Sequence, residues 1–294
     1  MNYEQLKLFQ TWAIIALFSD DSLAEFLALK GGAALDLIYK LNTRASIDID
    51  ISLEKDFQQN QLPEIHKKLA RSFSDTFAEH GYTIFDFQFE RRPLKQSIER
   101  DAFWGGYQIT FKIYRTDLFQ NVSQDLEKAR RQAEVVGKHE GRKFTVDISK
   151  YEYCKGKQEM DLDGFSIYVY TPHMIIYEKL RAICQQFPEY FINKGRFKSS
   201  RPRDFYDIYT IMQKLDISFD ELNLTMLHDF FQIKRVDLSL LNLIPKYKND
   251  ITAGLPALID TLTPQAKNDF NFEQYFQFVL TGIQRLLKQP NSLT

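Results

Sequence analysis

The chain has 294 residues, 44% hydrophobic and 26% charged, an ordinary balance for a globular protein with room for one large domain or two moderate ones, each with its own core. Its net charge of −1 excludes a global attraction to nucleic acid, so any polyanion has to be met by a local patch. Two isolated cysteines, Cys154 and Cys184, exclude a disulfide framework or a zinc site; five histidines without ligand spacing, and no signal peptide, lipidation motif or spanning apolar run, lead us to expect a cytosolic protein.

Residues 3–28 are expected to be helical, with Leu6, Phe9, Ile14, Leu17 and Phe18 on an apolar side and a second short helix over 22–26. A short strand over 28–30 leads into Gly31-Gly32, and a helix over 33–41 follows, packed by Leu35, Leu37, Ile38 and Leu41. About sixteen residues past the glycines comes the alternation Ile47-Asp48-Ile49-Asp50-Ile51. In a strand, side chains at i and i+2 share a face, so Asp48 and Asp50 stand side by side, roughly 6–7 Å apart at Cα, while the isoleucines point into a core. Two carboxylates that close repel unless a cation lies between them. Mg²⁺ is typically held by one or two carboxylates plus substrate phosphates, and glycines at a helix entrance let backbone N–H groups approach a phosphate. A plain turn before a helix and a solvated strand face are the ordinary explanations of each half taken alone.

A helix is expected over 63–79, with Ile65, Leu69, Phe73 and Phe77 recurring every four residues and Gly81 just past its end. Strands are expected over 82–89 and 107–114. Residues 117–133 read as polar helix or loop; their Lys128-Ala129-Arg130-Arg131 cluster is a solvated face or an RNA contact. Residues 143–148 form another strand, Phe144, Val146 and Ile148 on one side, Thr145 and Asp147 on the other. Asp161 and Asp163 fall in a loop expected over 156–164, and a last strand covers 165–170.

After Thr171 nearly everything is helical, so a domain boundary is placed there, giving domains 1–170 and 171–294. Thr171-Pro172 is a helix start. In the helix that follows, Lys179 lies within the stripe Ile175, Ile176, Leu180 and Ile183. A lysine there either packs its stem and sends its amine out to water or meets an anion such as a nucleotide phosphate. Residues 194–203 carry five cations, Lys194, Arg196, Lys198, Arg201 and Arg203, with Phe197 among them. That composition suits a flexible basic loop or contact with phosphates and bases. Pro202 opens a further helix, on which Asp204 and Asp207 share a face. From about residue 216 on, the pattern is amphipathic helix without chemistry, as over 272–287.

Four ordered motifs, G-G-A-A-L from Gly31, R-A-S-I-D-I-D-I-S from Arg44, E-K-L-R-A from Glu178 and R-P-R-D-F-Y-D from Arg201, together resemble the AbiEii/AbiGii toxin family within the DNA polymerase β-like nucleotidyltransferase fold. The resemblance spans about residues 28–212. It implies an α+β protein: a nucleotidyltransferase-like mixed sheet flanked by helices, then a mostly α-helical C-terminal domain that contributes Lys179 and Asp204 to the site. It implies a third metal-binding carboxylate on a neighbouring strand, a place Asp147 fits by residue type and order, ahead of Asp161 and Asp163. The implied reaction is Mg²⁺- or Mn²⁺-dependent transfer of a nucleoside monophosphate from an NTP to tRNA or another RNA, by a toxin checked by a cognate antitoxin. Asp48, Asp50 and Asp147 would hold metal, with Asp147 alternatively accepting a proton; Gly31, Gly32, Arg44, Ser46 and Lys179 would grip phosphates; Asp204 would position Lys179 or the acceptor; Asp207 would be structural. RNA is expected on the 194–203 segment, and a protein acceptor stays open. One departure is Ala33-Ala34, where Ser or Thr often follows the glycines, which leaves backbone amides alone to bind phosphate. Two rivals remain: a catalytically silent nucleotide-binding regulatory or scaffold protein of the same fold, and a metal-dependent nuclease, which has no need of a phosphate-cradling turn.

Overall fold

The computed structural model describes residues 3–41, 48–95, 98–137 and 140–288. The described chain divides into two compact units, one comprising residues 3–40 and 48–170, the other Leu41 with 171–288.

The first unit is built on a seven-stranded mixed sheet in the order β3-β4-β5-β2-β1-β7-β6. Helices α1 (Tyr3–Phe18) and α2 (Asp21–Ala24) precede β1 (Leu27–Lys30), so the helical expectation for residues 3–28 stops short of the strand. The glycines then open α3 (Gly31–Ala33) directly, and this short helix runs on into a π-helical turn, Ala34–Ile38. After β2 (Ile49–Leu53) come α4 (Leu62–Glu79), β3 (Tyr82–Arg92), α5 (Ile98–Asp101) and β4 (Gly106–Arg115). Two short helices, α6 (Thr116–Phe119) and α7 (Leu126–Gln132), lead to β5 (Phe144–Lys150), β6 (Gln158–Leu162) and β7 (Phe165–Val169). β2 runs parallel to β5 and antiparallel to β1, and β4 pairs antiparallel with both β3 and β5.

Alternation along the strands separates the two faces of the sheet. Ile49, Ile51, Val146, Ile148, Ile109 and Phe111 form a buried face, and α4 covers it with Ile65, Leu69, Phe73 and Phe77. The ring of Phe111 lies 5.4 Å from those of both Phe73 and Phe77 and 5.1 Å from that of Phe144, contacts worth about 0.5–1.5 kcal/mol each beyond the apolar area they bury. The polar face opposite carries Asp50, Asp147, Gln108 and Thr110.

One expectation fails at residues 156–164. They are not a loop throughout: Gln158–Leu162 is β6, paired with β7 along its whole length. Asp163 and Gly164 have φ of +52° and +86°, the paired left-handed conformation of a two-residue hairpin turn, which Asp-Gly favours.

At one end of the buried face the fold encloses charge. Lys150, wholly buried, places its Nζ 2.6 Å from both Asp56 and Asp101. Arg91 bonds the same two acids, and the Tyr107 hydroxyl donates to Asp56 at 2.6 Å. Burial pushes the Asp101 carboxyl up, but Lys150 and Arg91 beside it outweigh that and hold it below the usual carboxylate range.

The second unit is helical. It contains α8 (Pro172–Cys184), α9 (Pro202–Lys214), α10 (Leu224–Gln232), an irregular 3-10 stretch (Leu238–Tyr247), the short α11 (Lys248–Thr252), α12 (Leu255–Thr261) and α13 (Pro264–Asn268), and the long α14 (Phe272–Leu286). The Thr171 side chain caps α8 by accepting from the Met174 N–H. Phe205 of α9 stacks on Phe276 of α14 at 5.2 Å. Gly282 admits the Phe219 ring so closely that a Cβ there would lie 2.1 Å from it. No helix among the described residues is long and apolar enough to cross a membrane.

Lys150→Met is expected to destabilise the protein by about 1–3 kcal/mol, because it removes the buried ammonium that both carboxylates bond and leaves Arg91 as their remaining cation. Chemical denaturation with an unchanged m-value checks this, and a loss below about 1 kcal/mol, the level of an exposed pair, would contradict it.

Candidate active site

The strand registers set five polar side chains in one row. Lys30 on β1 lies opposite Asp50 on β2, Asp50 opposite Asp147 on β5, Asp147 opposite Gln108 on β4, and Gln108 opposite Glu90 on β3. Residues paired in register point to the same face, and neighbouring strands lie roughly 4.8 Å apart. Two unit charges about 5 Å apart at an effective dielectric constant near 20 repel by about 3 kcal/mol, so Asp50 and Asp147 form an acidic pair that a cation would relieve. Gln108 Nε2 donates to Asp147 Oδ1 at 2.9 Å. At the other end of the row, Lys30 lies 3.4 Å from the buried Glu152. Glu152 was not a candidate from sequence; the signal was Lys30 itself, a cation in a strand buried at every position.

Gly31, at the junction of β1 and α3, is required twice over. Its φ is +69°, and a Cβ there would lie 2.6 Å from Asp50 Oδ2. The Gly-Gly turn is thus the seat of the Asp50 carboxylate as well as the entrance to α3. Gly32 follows in the first helical turn, where backbone N–H groups have no partner within the helix.

Asp48 immediately precedes β2 and is exposed, so the regular strand begins one residue beyond it. Arg44 and Ser46, like Ile47, lie outside the described residues. Asp161 is on β6, at the sheet edge, separated from β2 by β1 and β7, and Asp163 is in the hairpin turn after it. Among the described residues no three His, Cys, Asp or Glu side chains converge as a metal-binding group. The donor set nonetheless fits a hard cation: Mg²⁺ characteristically takes one or two carboxylates and completes its shell with water and substrate phosphates, and Asp50 with Asp147 supplies that pair beside the Gly31 seat.

In the helical unit, Lys179 neither reaches out to water nor stands open to a phosphate. It is 4% exposed, and its Nζ lies 3.2 Å from Asp204 Oδ1 and 2.6 Å from Asp207 Oδ2. Asp207 therefore makes the shorter bond. The Arg201 guanidinium also pairs with Asp204. Burial pushes the Asp204 carboxyl up, but Arg201 and then Lys179 outweigh it and hold the group below the usual carboxylate range.

The basic segment is anchored at several points. The buried Asn193 side chain donates to the Gln185 and Phe187 carbonyls at 2.8 and 2.7 Å. Phe197 packs on Phe187 and Tyr247, the Lys198 N–H bonds the Gln186 carbonyl at 3.0 Å, and the Ser200 hydroxyl donates to the Asp250 carbonyl at 2.6 Å. Lys194, Arg196, Lys198 and Arg203 are exposed on this frame, whereas Arg201 turns in to Asp204. Of the other cluster, Arg130 is engaged by Asp86 and Glu127, while Lys128 and Arg131 are exposed.

Two outcomes follow from this geometry. Gly31→Ala should cost about 1–2 kcal/mol through its left-handed backbone alone and should also displace Asp50; a melting temperature equal to wild type would contradict the seat. For Asp204, a carboxyl lowered by folding contributes stability that is present above the unfolded value of about 3.9 and is lost as pH falls through the folded value. Asp204→Asn should therefore melt lower than wild type at pH 6 and lose less on further acidification. Parallel melting curves for the two proteins from pH 6 to pH 2.5 would overturn that assignment.

Comparison with curated proteins returns no match. Among solved structures, the chain is similar to JHP933 from Helicobacter pylori, with 16% identity, a TM-score of 0.48, and coverage of 99% of this chain and 96% of that one. It is also similar to an antigenic nucleotidyltransferase-like protein from Paracoccidioides brasiliensis, with 14% identity, a TM-score of 0.37, and coverage of 84% and 93%. The assignment rests on the match to a family model, which takes in both units. The model described as nucleotidyl transferase AbiEii toxin, type IV TA system, matches residues 13–282, and the chain belongs to that family of nucleotidyltransferases.

Proposed function

We propose that this protein transfers a nucleoside monophosphate from an NTP to an RNA acceptor, with tRNA the first candidate, in a reaction that depends on Mg²⁺ or Mn²⁺. In this reading it is a cytoplasmic toxin restrained by a cognate antitoxin. The observation that carries the proposal is the register match of Asp50 with Asp147 on parallel neighbours, with the Asp50 carboxylate seated against Gly31.

Asp50 and Asp147, joined by Asp48, would hold the divalent cation. When bound, it would supply neutralisation of charge on the triphosphate during in-line displacement. Backbone amides at Gly31 and Gly32 would orient the phosphates, with Arg44 and Ser46 proposed as further phosphate contacts. An acceptor hydroxyl then attacks the α-phosphorus; the new O–P bond forms as the bond to pyrophosphate breaks, and the hydroxyl proton passes to solvent. Exposed Lys194, Arg196, Lys198 and Arg203 would bind the acceptor's phosphates; their anchored backbone lowers the ordering cost of that contact. Lys179 and Asp204 belong to the same proposal as residues the reaction requires beyond folding. Lys179→Arg tests this by keeping the buried charge: a retained melting temperature with lost transfer supports the role, and unchanged transfer removes it.

The direct test is incubation of the full chain with each α-³²P-labelled NTP, Mg²⁺ and total cellular RNA. Label should appear on RNA, and Asp48→Ala/Asp50→Ala should reduce it by at least about 10²–10³-fold, the loss typical when an electrostatic catalytic group is removed. Label on protein instead would reassign the acceptor. Nucleotide binding without label in any combination would leave a silent nucleotide-binding protein and reject transfer.

A further inference from the structure

We infer that Gln108 is a positioning residue for the cation site, fixing the Asp147 carboxylate beside Asp50. The inference rests on the proposed metal-dependent reading of that pair. Gln108 and Asp147 are register partners on β4 and β5, and the amide Nε2 lies 2.9 Å from Asp147 Oδ1. The orientation of the amide is dictated by chemistry: an ionised carboxylate only accepts, so the NH₂ end of Gln108 must face it. A carboxylate offers about four lone-pair positions, and a single donor uses one of them, which leaves the others for a cation.

The choice of side chain matters because of its charge. A lysine or arginine at this place would orient Asp147 equally well but would pair with it, cancelling the negative charge that a cation needs. A neutral amide fixes the rotamer and leaves the charge intact. The flanking positions do not disturb this. Glu90, opposite Gln108 on β3, is bonded by Arg92 at 2.8 Å, and the Thr110 hydroxyl donates to Gln88 at 3.3 Å. Carboxylate ligands are commonly held by such outer partners, whose loss typically costs 10–100-fold in metal affinity or activity.

The test is Mn²⁺ binding by electron paramagnetic resonance on the full chain, with a non-hydrolysable NTP analogue, for wild type, Gln108→Ala, Gln108→Lys and Asp147→Asn. Melting temperatures establish that each variant is folded. Gln108→Ala should weaken Mn²⁺ binding by about tenfold without lowering the melting temperature, and Gln108→Lys should weaken it further by pairing with Asp147. A purely structural glutamine would not give this order at constant stability. If wild type binds Mn²⁺ and Asp147→Asn does not, while Gln108→Ala binds like wild type, the role of Gln108 is overturned and the proposed function stands. If wild type binds no Mn²⁺ with nucleotide present, both fall together.

Discussion

The site depends on one constraint, the register of β2 against β5. It sets Asp50 directly across from Asp147 on the same face of the sheet, and like charges in that position work against the sheet that holds them. The fold accepts the repulsion because the opposite face of the same strands is packed with apolar side chains as far as Lys150 at its end, with Ile49, Ile51 and Val146 fully buried under α4. Stability is supplied on one face, and two neighbouring carboxylates are held on the other.

The contrast with the other buried charges is instructive. Lys150 with Asp56, Asp101 and Arg91, and Lys179 with Asp204, Asp207 and Arg201, each bring cations and anions together inside one unit. In both clusters the acids are bonded by basic side chains at short range. The Asp50–Asp147 row differs: its nearest ordered contact at Asp147 is a neutral amide, and Lys30, across from Asp50, has Glu152 beside it. The charge clusters are part of the core, whereas Asp50 and Asp147 sit in register on the polar face of the sheet.

Much of this was legible in the sequence because it rests on local patterns. The four-residue apolar repeat of α4, the Thr-Pro start of α8 and the alternation of β5 each follow from a single periodicity or capping rule, and the structure matches them. The acids at 48, 50 and 147 were also legible as candidates, but their pairing was not. Register is a long-range property, and only the sheet shows that Asp147, and not Asp161, lies beside Asp50. Two short-range signals were readable and were passed over: Asp163-Gly164 between alternating residues marks a hairpin, and a lysine in the buried strand β1 calls for an acid such as Glu152. The Lys179 cluster lay between these cases. The sequence placed the lysine on a buried face and two acids three residues apart, but tertiary packing was needed to show both acids on one ammonium.

The most direct measurement is the anomalous signal from a crystal of the full chain grown with Mn²⁺ and a non-hydrolysable NTP analogue. A peak within bonding distance of both Asp50 and Asp147 carboxylates, with nucleotide phosphate oxygens completing its shell, is the predicted result. Manganese bound to the phosphates without either carboxylate, or bound elsewhere on the chain, would contradict the account.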